Sequence, residues 1–166
     1  MKLRADARRN QAGQSVVELA FVLPLLILFI LGVADLSRAL HAYHAIVNLS
    51  REGANLATRT TLDAATIMNT LAAGAPPLTL DKQGMMYLTE VEEVSGSPAI
   101  RSQVGWKGGS GLQSRVDGNS VADALGGIEL RPGQKVLVFE VLYRYDSLFR
   151  SGDGGFAPVL QSKTIF

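Results

Sequence analysis

From Val16 to Ala34 the chain reads VVELAFVLPLLILFILGVA, 19 residues in which Glu18 is the only charge. At 1.5 Å per helical residue this run measures roughly 28 Å, close to the hydrocarbon thickness of a bilayer. Beyond it the pattern becomes amphipathic. Leu36, Leu40, Tyr43, Ile46, Val47, Ala54 and Ala57 recur at three- and four-residue steps, while Arg38, Asn48, Arg51, Glu52 and Arg59 fall elsewhere on the wheel. Between Asp35 and Arg59 the only glycine is Gly53, so the spacing predicts a continuous helix from about Ser15 to Arg59. The outer half of that helix carries an apolar stripe that needs a partner, in the chain's own outer part or in neighbouring subunits.

A second helix is predicted from Thr61 to Ala73, with Thr60 and Asp63 as a capping-box-like start and Ile67, Met68 and Leu71 as its apolar face. Gly74 ends it ahead of Pro76-Pro77. The period then switches to two. Met86, Tyr87, Leu88 and Val91 mark one strand, and Ile100, Val104 and Trp106 another. In the clearest strand, Lys135 to Tyr145, Leu137, Phe139, Val141, Tyr143 and Tyr145 form an apolar face expected to pack on the helix. Residues 159–166 can return antiparallel beside it through the glycine-rich loop Ser151–Gly155. Gly105–Gly118 reads as another loop, and Asn119 or Ser120 can cap a short helix to Leu125.

The expected fold is therefore α+β: a long amino-terminal transmembrane and amphipathic helix, plus a second helix packed on a small antiparallel sheet. The expected organisation is a basic leader at 1–13, a membrane helix at 14–35, its amphipathic continuation at 36–60 and an extracytoplasmic domain at 61–166.

Charge sharpens the picture at the amino terminus. Sixteen basic and 15 acidic side chains nearly balance over 166 residues, which argues against electrostatic binding of nucleic acid. Lys2, Arg4, Arg8 and Arg9, against Asp6 alone, precede the apolar run; such a layout places the amino terminus in the cytoplasm and the rest outside. Gly32-Val33-Ala34 is a small-x-small triplet that a signal peptidase could cut, which leaves a secreted domain as one alternative. The absence of cysteine excludes disulfides, thiolate metal sites and a cysteine nucleophile.

Catalytic constellations are sparse. His41 and His44 share a helix face but lack a third convergent ligand at helical spacing. Lys107-Gly108-Gly109-Ser110-Gly111 departs from the phosphate-cradling order, and Leu112 stands where a nucleophile elbow around Ser110 needs glycine; it reads as a flexible loop. Asp117-Gly118-Asn119 with Asp123 offers too few oxygens for calcium. Glu90, Glu92 and Glu93 read as an exposed strand face rather than a carboxylate pair. The expectation is a protein without catalytic residues, metal or cofactor, itself a substrate of enzymes.

Glu18 departs from a plain anchor, because a carboxylate in a lipid-embedded helix is costly unless it lies near the interface or has a partner. Its context is Gly13-Gln14-Ser15-Val16-Val17-Glu18 behind a basic leader. This arrangement resembles the class III signal of type IV pilins. More narrowly, the stretch from Gly13 to Leu40 resembles the amino-terminal signature of TadE-like proteins, minor pilins (pseudopilins) of the tight-adherence, or Flp, pilus machinery. Gly13, Val17-Glu18, Leu23-Pro24, Gly32, Asp35, Arg38 and Arg51-Glu52-Gly53-Ala54 carry the likeness, within residues 13–59. Leu19 stands where relatives often have an aromatic.

The resemblance implies cleavage between Gly13 and Gln14 by prepilin peptidase, with the new amino group of Gln14 open to N-methylation. It implies that Glu18 meets a neighbouring subunit's terminal amine and sets register, and that Pro24 permits local melting of the helix on extraction from the bilayer. The implied partners are prepilin peptidase, other pilins and pseudopilins, the inner-membrane assembly platform and the lipid bilayer. The alternative is a single-span, membrane-anchored periplasmic binding module outside any pilus; a periplasmic hydrolase stands last.

Overall fold

The computed structural model describes residues 3–149 and 157–166, with side chains from Gln14 onward. The leader's side chains and the glycine-rich loop at 151–155 lie outside the described residues. The chain divides into two compact units, Met1–Arg38 and Ala39–Phe166.

Helix α1 runs from Leu3 to Arg59 and continues through Pro24. Helix α2, Ala64–Ala73, follows. It starts three residues later than its apolar spacing suggests, because the cap is Asp63 and not Thr60. Asp63 Oδ2 accepts the Thr66 N–H at 3.2 Å and Oδ1 accepts the Thr66 hydroxyl at 2.6 Å. Thr60 instead donates back to the Leu56 carbonyl at 2.7 Å, closing the end of α1. The Thr66 bonds hold the Asp63 carboxyl below its ordinary value. The folded-state value is depressed, so the cap's contribution is full above the unfolded carboxyl's pKa of about 3.9 and is lost as pH falls through the folded value. Acid titration of Asp63→Asn, whose cap carries no charge, is expected to lack that part of the stability loss below about pH 4.

A short helix α3, Leu80–Gln83, leads into the sheet. Its strands are β1 (Gly84–Val94), β2 (Ser97–Gly105), β3 (Lys135–Arg144) and β4 (Val159–Ile165), in the order β2-β1-β3-β4. Every neighbouring pair is antiparallel, as the α+β reading expects. A two-residue turn joins β1 to β2, with Ser95 at φ 55° and Gly96 at φ 88°. Left-handed backbone at both central positions is the type I′ turn that matches strand twist.

The apolar face of β3 packs on the helices as expected. Phe139, Val141, Tyr143 and Tyr145 share a buried cluster with Ala42, Ile46, Leu49 and Ala54 of α1 and Ile67, Met68 and Leu71 of α2. The seam on α1 is rotated from the one the large apolar residues suggest. Ile46, Ala54 and Ala57 belong to it, but Leu36, Leu40 and Tyr43 are exposed, and small residues at 42, 50, 53 and 54 take the buried positions. The reason is close approach: a Cβ on Gly53 would lie 2.5 Å from Cε1 and Cζ of the Phe139 ring. Beside it, the buried Ser50 hydroxyl bonds Ser162 and Thr164 of β4 at 2.8 and 2.9 Å.

The opposite face of the sheet is covered too. Residues 114–130, including the four-residue helix α4 (Val121–Ala124), fold over it. Val116, Val121, Ala124 and Leu125 bury Val91, Val136 and Val138 in a second cluster.

Candidate functional site

The first unit presents one helical surface. From Val16 to Val33 its large apolar side chains are exposed, with Phe21 at 79% and Phe29 at 70%. A stretch this long and apolar is able to cross a membrane, and none of it is buried within the chain. Burying such a surface in lipid or among other helices is the dominant free-energy term available to it.

The sequence-predicted site residues lie on this helix. Gln14 and Glu18 are one turn apart, and Gln14 Nε2 donates to Glu18 Oε1 at 3.2 Å on the exposed surface. Pro24 lies six residues further on, inside α1. Its ring removes one donor from the ladder, opposite the Ala20 carbonyl. The surroundings of Gly13 fall outside the described residues. Glu18 is thus an exposed acceptor near the beginning of the apolar stretch of α1.

The other constellations resolve into structural roles. Glu90 and Glu92 form a cross-strand cluster with Arg101 and Lys135: Arg101 Nη1 lies 2.7 Å from Glu92 Oε2, and Lys135 Nζ 3.4 Å from Glu90 Oε1. The Arg101 guanidinium holds the Glu92 carboxyl below its ordinary value. Glu93 accepts backbone N–H groups from Gly96 and Gly133. Asp117 Oδ1 accepts the Asn119 and Ser120 N–H groups at 3.1 and 2.7 Å, an Asx turn leading into α4. Among the described residues no three His, Asp or Glu side chains converge to hold a metal ion. His41 and His44 are exposed on α1, with His44 against the Tyr43 ring.

The segment at 107–111 differs from the flexible loop its glycines suggest. It is packed on Trp106, whose indole N–H donates to Asn69 Oδ1 of α2 at 2.8 Å. A Cβ on Gly109 would collide with the Met85 sulfur and approach the Gly84 carbonyl at 3.0 Å, so these glycines serve contact rather than freedom. Ser110 donates its N–H to that same carbonyl at 2.8 Å.

One group escapes sequence reasoning altogether. Glu140, in the middle of β3, is fully buried. It faces away from the helices, and its oxygens accept the Ser114 hydroxyl, the Arg115 backbone N–H at 3.2 Å and the Gln161 amide at 2.6 Å. The Tyr87 hydroxyl donates to the Leu112 carbonyl at 2.7 Å, and Gln103 Nε2 to the Val116 carbonyl at 2.8 Å. Glu140 thereby pins the covering segment to the sheet. The only hint in the sequence is a carboxylate among valines, phenylalanine and leucine.

Residues 13–55 match the model of a protein family described as TadE-like protein, which ties this part of the chain to the Tad pilus system. The match covers Gln14, Glu18 and Pro24 and ends just beyond Gly53 and Ala54. No curated protein and no solved structure gives a significant match to the chain.

Proposed function

We propose that this chain, TadE-like over residues 13–55, is a membrane-anchored minor pilin, or pseudopilin, of a tight-adherence pilus. The observation that carries the reading is the coincidence of the family match with an exposed apolar stretch of α1, residues 16–34, whose one carboxylate, Glu18, sits near its beginning. The span holds the chain in the inner membrane, with the basic leader cytoplasmic and the sheet-bearing unit in the periplasm. Prepilin peptidase cuts between Gly13 and Gln14, which removes the basic residues that hold the amino terminus at the cytoplasmic face. The freed amine of Gln14 and the carboxylate of Glu18 on adjacent subunits then pair in an apolar interior.

Such a pair fixes register more than it stabilises, since desolvation offsets much of the attraction. Pro24 weakens the helix where the chain is drawn out of the bilayer. The protein's role is structural, in assembling a filament with other pilins and the inner-membrane platform, and it performs no reaction of its own.

Glu18→Ala tests the register role. Membrane insertion is expected to be unchanged, because removing a carboxylate favours the span. Incorporation into sheared filaments, read by immunoblot, is expected to be lost. Normal incorporation of Glu18→Ala would overturn the register role.

A further inference from the structure

Cleavage after Gly13 exposes Gln14, and a terminal glutamine carries a side chain that reacts with its own free amine. The α-nitrogen bonds to Cδ, which closes a five-membered lactam, and the bond from Cδ to Nε2 breaks. Nε2 takes up the proton that the attacking nitrogen gives away and leaves as ammonia; nothing is oxidised or reduced. The product, a pyroglutamyl terminus, has no basic amine. A neighbouring Glu18 would then meet a neutral ring where the pairing proposed above needs a cation.

In the uncut chain the Gln14 nitrogen is a peptide amide within α1 and cannot attack. Once freed, it closes the ring only if the side chain folds back until Cδ reaches it. The structure directs that side chain elsewhere. Gln14 Nε2 donates to Glu18 Oε1 at 3.2 Å, one turn further along the helix, the spacing at which helical side chains meet. Both residues are exposed, so packing within the chain does not confine the glutamine. Folding back breaks the bond to Glu18 before the lactam forms. A carboxylate accepts at both oxygens, so the amide at Oε1 leaves Oε2 able to receive a neighbour's amine.

We propose that Glu18 has a task that precedes the pairing: by accepting the Gln14 amide it holds that side chain open, retards lactam formation and preserves the terminal amine. Gln14 is thereby a modification site whose fate sets the charge of the mature terminus, and Glu18 is its positioning residue. The proposal rests on cleavage after Gly13. The net worth of one hydrogen bond corresponds to about a two- to tenfold slowing of closure.

The test follows the amino-terminal peptide in time. The full chain is produced together with prepilin peptidase, and the mature protein is purified in detergent micelles as the parent, Glu18→Ala and Glu18→Gln. Each is held at neutral pH and sampled by mass spectrometry, in which closure appears as the loss of one ammonia from the unmethylated peptide. Closure is expected to be about two- to tenfold faster in Glu18→Ala than in the parent. Glu18→Gln, which keeps an acceptor oxygen without the charge, is expected to fall between them.

Equal rates in the parent and Glu18→Ala would overturn the proposal and leave cleavage after Gly13 standing. Slower closure in Glu18→Ala would refute it too, and make Glu18 the group that passes a proton to the leaving nitrogen. Closure in Glu18→Gln as fast as in Glu18→Ala would assign the effect to charge and defeat the hydrogen-bond account. A start at Met1 or Asp35 would overturn the cleavage reading, and the proposal with it.

Discussion

Gly53→Val is expected to lower the stability of the outer unit by about 2–3 kcal/mol, the upper part of the range for overpacking a filled core. The added Cβ would stand 2.5 Å from the Phe139 ring. That ring cannot swing aside, because Phe139 is fully buried between the helices and the sheet. Helix propensity alone points the other way: alanine in place of a helical glycine would be worth about 1 kcal/mol. A net loss in Gly53→Ala would therefore show contact outweighing propensity. Phe139→Leu alone is expected to destabilise, yet in the Gly53→Ala background it is expected to recover part of the loss, a coupling of opposite sign. Urea unfolding of the full chain in detergent micelles reads all three; an unchanged midpoint in Gly53→Val would refute the close contact. The result bears on the family likeness as well, since Arg51-Glu52-Gly53-Ala54 then lies within the part of the helix that docks on the sheet.

Glu140→Ala is expected to cost about 3 kcal/mol or more. The substitution leaves the Ser114 hydroxyl, the Arg115 N–H and the Gln161 amide without their acceptor in a site closed to water, at about 1–3 kcal/mol for each group left unmet. The damage is expected first in the covering segment. Trypsin cleavage at Arg115, whose side chain is exposed but whose backbone is held by Glu140, should appear before the sheet itself unfolds. Glu140→Gln keeps one acceptor oxygen and is expected to fall between alanine and the parent. Equal protection of Arg115 in all three proteins would show that the segment is held by Tyr87 and Gln103 instead.

The two elements that sequence pattern renders best are the apolar run at 16–34, long and charge-free except for Glu18, and the strand at 135–145, bounded by polar and glycine-rich stretches and rich in branched and aromatic residues. The seam of α1 was harder to read, because hydrophobicity ranks Leu36, Leu40 and Tyr43 above Ala42, Ser50 and Gly53. Close packing of a helix on a sheet instead selects small residues at the contact. Thr60 misplaced the start of α2 for a similar reason: two cap formers three residues apart compete, and the side chain of Asp63 reaches the free N–H groups.

The second core was hidden because residues 114–130 have glycines and polar residues where a regular element would show a period. Their apolar members, Val116, Val121 and Leu125, are gathered by the sheet rather than by their own spacing. Glu140 follows from that, since nothing marks a carboxylate as buried until the segment that buries it is known. Of the proposed site, Gln14, Glu18 and Pro24 were legible as a motif on a span, and the exposed helix accommodates each of them.

The most direct test of the pilin reading is the amino-terminal peptide of the mature protein, recovered from inner membranes and identified by mass spectrometry. A start at Gln14, with or without an added methyl group, is the expected result, and Gly13→Leu should abolish it. A start at Asp35 would make the chain a secreted domain and remove Glu18 from its function. An intact Met1 in cells that possess prepilin peptidase would contradict the reading and leave a plain membrane anchor.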